Sequence, residues 1–172
     1  MNITISDQKL SAFQLAGHAV MAYLQQVKIK LISIGNEDEF GGFFEWEDLF
    51  GGESYPIETL FDDFVKLEKS IMIVLAGSIA ASIVKHGKII WTGEEDAYDH
   101  AMEILSWIGS LEESDDLLFN LYSKRCELIL RCPNVWSVVE QFASLLTRKK
   151  QITGTEAGNY IQVFFEKSLN TE

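Results

Sequence analysis

The stretch Ile71–Val84, IMIVLAGSIAASIV, constrains the fold more than any other part of this 172-residue chain. It carries no charge, so a helix made from it has no face to offer water and must be surrounded by other elements. The run is also shorter than the ~20 residues a helix needs to cross a bilayer, which predicts a buried core helix and no membrane span. Within it, Ala76, Gly77, Ser78, Ala80 and Ala81 remove side-chain bulk and let a second helix approach closely.

The remaining periodicity supplies the partners. Ser6-Asp7 suits a helix start, and Leu10, Phe13, Ala16, Gly17, Val20, Met21 and Leu24 recur at helical spacing, predicting a helix over about 6–26. From Val27 the period becomes two and predicts a strand to Ile34, followed by a polar turn at Asn36–Glu39. Gly41-Gly42 opens a second, aromatic strand, Phe43–Trp46, that pairs with the first, and Gly51-Gly52 ends the unit. Pro56 suits the first turn of a long helix over 57–86, with room for one break near Lys69-Ser70. Ile89–Thr92 reads as short and extended, and Gly93 introduces a helix whose first turn is Glu94, Glu95 and Asp96. Further helices are expected over about 115–131 after the cap Ser114, 134–147 after Pro133, and 155–168 after the Gly154 turn. The expected fold is mainly α with a small β-sheet (α+β), in one domain over residues 1–172 without a long linker.

Fourteen Lys and Arg against 26 Asp and Glu give a formal charge of −12, which repels phosphate backbones and anionic lipid heads. Neither nucleic acid nor a membrane is expected as a partner. The start MNITISDQKL has no basic segment followed by an apolar one, so the expected location is cytoplasmic. Cys126 and Cys132 make no CxxC pair and read as reduced, structural residues.

The segment Ala12–Val20, AFQLAGHAV, approaches the HExxH pattern of metalloprotease helices. There, two histidines four residues apart face one zinc, and the glutamate after the first activates water. Here Gln14 stands at the first histidine, Leu15 at the glutamate, and only His18 remains. By itself a lone helical histidine is more often a packed core residue than a ligand.

Other segments set this motif in a larger order. AFQLAGHAV resembles the Y-H-E-A-G-H-A helix of the peptidase domain of FtsH-type ATP-dependent zinc proteases, FGGFF its Gly-Gly-aromatic strand edge, and IVLAGSIAASIVKHG its L-L-G-G-R-A-A-E-E helix. WTGEEDAYDHA is similar to the family's T-T-G-A-x-N-D segment, and ITGTEAGNYI to the turn before its last helix. The resemblance covers about Ser6 to Ile161 and implies a zincin-like core over about 6–106 and a C-terminal helical part over about 114–168. It places the family's zinc ligands on Gln14, His18 and Ala97 and its general base on Leu15. A neutral amide is a poor zinc ligand, and Leu15 cannot accept a proton.

The resemblance therefore implies a catalytically inactive pseudo-peptidase that acts as a peptide- or protein-binding or regulatory module, and no zinc is expected. One alternative is an enzyme with a rebuilt metal site at His18, Asp96 and His100. Another is a structural partner of an active FtsH-type protease ring, or a homo-oligomer, since the family's peptidase domains associate into rings. No GxxxxGK[ST] loop occurs, so no ATP site of that kind is present in the sequence. The strand Gly41, Gly42, Phe43, Phe44 to Trp46 corresponds to the family's substrate-pairing edge, where binding needs backbone groups and no metal. Phe43 and Glu45 are expected on one face and Phe44 and Trp46 on the other. Glu45, Glu47 and Asp48 favour a basic partner segment.

Overall fold

A computed structural model describes residues 6–35, 42–49, 60–91, 96–106 and 112–169. Its elements, in chain order, are α1 (Asp7–Leu24), β1 (Ile29–Ile34), β2 (Gly42–Trp46), α2 (Leu60–His86), α3 (Asp96–Ser106), α4 (Glu112–Leu130), α5 (Pro133–Lys149), β3 (Gln151–Thr153) and α6 (Gly154–Leu169). The protein is mainly α with a small antiparallel sheet, as its sequence pattern predicts. The expected Asn36–Glu39 turn, Gly41, Gly51-Gly52, Pro56 and Gly93–Glu95 lie outside the described residues.

Helix α1 begins where Ser6 accepts a hydrogen bond from the Lys9 N–H, satisfying one of the donors a helix start leaves unpaired. It ends at Leu24, and Gln26, with φ of 57°, turns the chain toward β1. The first strand therefore starts at Ile29 and not at Val27, whose N–H is still tied to the Ala22 carbonyl at 2.9 Å. Helix α2 is unbroken through Lys69-Ser70 and ends at His86, with Gly87 at φ of +71° just after it.

That continuity corrects the expectation about length. Phe64–His86 makes 23 residues long and apolar enough to span a membrane by length and composition, because the helix runs straight on through the half-polar turn before Ile71. Its middle is nonetheless enclosed by the protein, with Ile71 to Gly77, Ile79 and Ala80 buried, while Phe64 and Val65 at its start are exposed. The main cover is α1, and the small residues permit it. A Cβ on Gly17 would lie 2.5 Å from the Ala76 carbonyl oxygen and 2.8 Å from the Ala80 Cβ, so only glycine fits at this crossing.

The sheet has strand order β2-β1-β3, with both neighbours antiparallel to β1. Ile32 pairs with Phe44 on one side and Ile152 on the other, and a register shift between Ile29 and Leu31 marks a bulge. Strand β3 was not expected from the sequence, which reads as a turn there. At three residues it is too short to show a period, and its buried Ile152 is a single position. Thr153 and Glu156 then form a capping box, the Thr153 N–H and hydroxyl meeting Glu156 Oε2 at 3.1 and 2.9 Å while the Glu156 N–H reaches Thr153 Oγ1 at 3.4 Å.

The C-terminal helices close the same core. Phe13 stacks on Trp136 of α5 and Tyr23 on Phe165 of α6, both at 5.9 Å between ring centres. Trp91 donates to Ser123 Oγ at 2.9 Å and meets Phe119 edge-on, fixing α4 beside the segment after α2. Helix α4 starts at Glu112, so Ser114 lies within it and does not cap it. Both cysteines are free thiols. Burial pushes the Cys126 thiol well up from its ordinary pKa, which keeps it protonated and unreactive.

Candidate functional site

The site is built around His18, at the middle of α1 where that helix crosses α2. Its Nδ1 lies 2.7 Å from the carbonyl oxygen of Ile73. A carbonyl can only accept, so Nδ1 carries the proton and Nε2 holds the lone pair. Ile73 is one helical turn before Gly77, and the ring lies directly against that glycine. A Cβ built on Gly77 would sit 2.1, 2.4 and 2.5 Å from Nε2, Cε1 and Cδ2. Such similar distances to three consecutive atoms put it over the ring's face and not in line with the Nε2 lone pair. Phe44 also stacks on the ring, at 5.3 Å and 17°.

Packing of this kind leaves the imidazole partly buried and withdraws most of it from water. Desolvation lowers the His18 pKa to about 4, the Ile73 contact opposing and nearby His100 adding to the shift. At neutral pH the ring is therefore uncharged. Nε2 has no hydrogen-bond partner among the described residues.

Gln14, Leu15, His18 and Ala97 border one cavity of about 360 Å³, together with Asp96, His100, Phe44 and Trp46. Gln14 and His18 are one turn apart on α1 and face the same way. Ala97 arrives from the first turn of α3 and Phe44 and Trp46 from β2. Leu15 is buried, and its Cδ1 would be 2.8 Å from a Cβ on Gly42, whose absence lets β2 approach α1. Among the described residues no three of His, Cys, Asp and Glu are grouped so as to hold a metal ion. His18, Asp96 and His100 thus share a cavity without forming a ligand cluster.

No protein-family model and no curated protein matches this chain.

Strand β2 is at the edge of the sheet, with β1 on its inner side. Phe44 and Trp46 turn toward α1, their rings 5.3 Å apart and 37° inclined, while Phe43 is about half exposed. Glu45 is on the opposite side, paired with Lys30 at 3.2 Å across the strands. This is the alternation expected from the period of two. A second cavity, of about 330 Å³, continues past Phe44 and Trp46 to Asp48, Ser70 and His100. A third, of about 420 Å³, continues past Gln14, Asp96 and Ala97 to Lys85, His86 and Trp91. The three share lining residues and form one cleft along β2, α1 and α3.

Chemically, the centre of this cleft offers one neutral imidazole, one amide and an aromatic wall. Leu15 has no atom to take a proton from water. Two contributors were not legible in the sequence as site residues: the Ile73 carbonyl that orients His18 and Gly77 beneath its ring. Gly77 was visible only as one small residue in a run of small residues, and nothing in that run says which one faces a side chain.

Proposed function

We propose that this chain is a non-catalytic, FtsH-peptidase-like module that binds an extended peptide or protein segment along the outer edge of β2, which pairs with no other strand among the described residues. The observation that carries the reading is the convergence of Gln14, Leu15 and His18 with Ala97, about eighty residues later in the sequence, on one cavity beside that edge. These are the positions at which the resemblance places zinc ligands and general base. Their present chemistry leaves the site without a base and with a single imidazole, while the edge strand needs only its backbone groups to pair. The role that fits is capture or regulation of a protein partner, an active FtsH-type protease being one candidate.

The test is a casein-hydrolysis assay beside amide chemical-shift mapping with extended peptides. The expected result is no cleavage and peptide-induced shifts concentrated at Phe43–Trp46. Cleavage would overturn the non-catalytic part of the reading, and shifts confined to α4–α6 would overturn the edge-strand part.

A rebuilt metal site is the second reading, favoured by the presence of His18, Asp96 and His100 around the same cavity. Zinc titration of the unaltered protein and of His100→Ala separates the two. Stoichiometric binding that His100→Ala abolishes would favour the metal site.

A further inference from the structure

Two adjoining cavities share Phe44, Trp46 and His100, and neither has a lysine or arginine among its lining residues. The far end of the same cleft has Lys85, at the end of α2, and two separate cavities have Lys28 beside β1 and Lys9 with Arg148 between α1 and α5. In place of cations, Asp48 lines one of the first two and Asp96 the other. Their common wall is aromatic.

We infer that the Phe44–Trp46 cavities bind a cationic head group, the guanidinium of an arginine or the ammonium of a lysine, presented by the partner. That a peptide presents it rests on the function proposed above; the cation site itself rests on the cavity. Phenyl and indole faces attract a cation through their ring quadrupoles, indole most strongly, and the attraction grows where water is excluded. The wall is held in place before any ligand arrives, since Phe44 is stacked on His18 and its backbone is paired with Ile32. A preformed wall spares the ligand the entropy of ordering it.

Charge points the same way. Asp96, from the first turn of α3, lines the cavity that Phe44, Trp46 and His18 share. Burial keeps His18 uncharged, so the imidazole behind Phe44 does not repel a cation. At about 330 and 360 Å³ the cavities lie at the small end of ligand sites, the scale of a single long side chain. A strand paired along the edge of β2 sends alternate side chains to the face where Phe44 and Trp46 stand, so one such side chain reaches the wall.

The experiment uses the full chain labelled with ¹⁵N and three small probes: N-acetylarginine amide, its neutral isostere N-acetylcitrulline amide, and tetramethylammonium. The arginine amide and tetramethylammonium are expected to shift the Trp46 indole N–H and the His100 ring signals, with affinity at least tenfold above that of the citrulline amide. Asp96→Asn should weaken the arginine amide severalfold, and Trp46→Leu should abolish the response of the His100 ring signals, with thermal melting to show that both variants are folded. Equal response to arginine and citrulline amides, or shifts away from this cavity, would overturn the inference. Peptides containing arginine or citrulline at one position separate it from the parent reading. If both bind equally at β2, the cation site falls and peptide capture stands. If the arginine amide fills the cavity while no peptide shifts the β2 amides, the cation site stands and peptide capture falls.

Discussion

The imidazole of His18 lies face-on against the α-carbon of Gly77, and the same ring is tethered to the carbonyl of Ile73 one helical turn earlier. Position 77 is therefore closed to any side chain while His18 is present. Gly77→Ala is expected to destabilise the protein by about 2 kcal/mol, overpacking outweighing the gain in helix propensity. In the His18→Ala background the same change should become neutral or stabilising. Denaturant unfolding of the four proteins of this cycle measures the coupling. Additive effects would show that the two residues do not meet.

His18 also sets a pH dependence of stability. Its folded pKa of about 4 lies below the ordinary value of 6.5, so between these limits the unfolded chain binds more protons than the native one. The contribution is complete above about pH 6.5 and is lost as the pH falls toward 4. Over that window it amounts to roughly 3 kcal/mol, from 1.36 kcal/mol per pKa unit. A His18→Phe variant should show a correspondingly flatter stability curve between pH 6.5 and 4, read as the difference from the unaltered chain. Parallel curves would contradict a desolvated, neutral His18.

Restoring metal ligands tests the reading of the site by addition. Gln14, His18 and Ala97 line one cavity, so Gln14→His with Ala97→Asp should confer zinc binding near one equivalent per chain, measured by calorimetry or elemental analysis. Leu15→Glu is a different case. Leu15 is buried and faces Gly42, so a carboxylate there should lower stability by several kcal/mol unless the metal is bound. Zinc should therefore raise the melting temperature of the triple variant more than that of the double. Absence of zinc binding in the double variant would count against a family-like backbone at this site.

Two glycines in α6 should answer alanine in opposite directions. A Cβ on Gly158 meets nothing within 4 Å, so Gly158→Ala should stabilise by about 0.5–1 kcal/mol through helix propensity. A Cβ on Gly154 would lie 1.7 Å from the carbonyl oxygen of Ile29, a backbone atom of β1. Gly154→Ala should cost about 3 kcal/mol, the upper part of the overpacking range, since helix and strand would have to separate. Melting temperatures of the two variants decide the matter.

Much of the architecture is local in origin and could be read from the chain. The charge-free run Ile71–Val84 can exist as a helix only if it is enclosed, and Gly17 with Ala76 and Ala80 leaves room for the helix that encloses it. The period of two in Lys28–Ile34 and the aromatic Phe43–Trp46 mark strands because side chains alternate across a pleat, and that alternation also placed Phe44 and Trp46 together. The absence of a base at Leu15 is likewise a property of the residue, whatever surrounds it. Strand β3 and the unbroken course of α2 were not legible. A three-residue strand has no period of its own, and its existence depends on β1 offering an unpaired edge to Gln151–Thr153. The chemical state of His18 was decided entirely by tertiary structure. Sequence spacing places an imidazole on α1, but its tautomer comes from a carbonyl 55 residues away, its neutrality from burial at a helix crossing, and its stacking partner from a strand. Those are long-range contacts, and a pKa or a cavity wall is a sum over whatever the fold brings within a few ångströms.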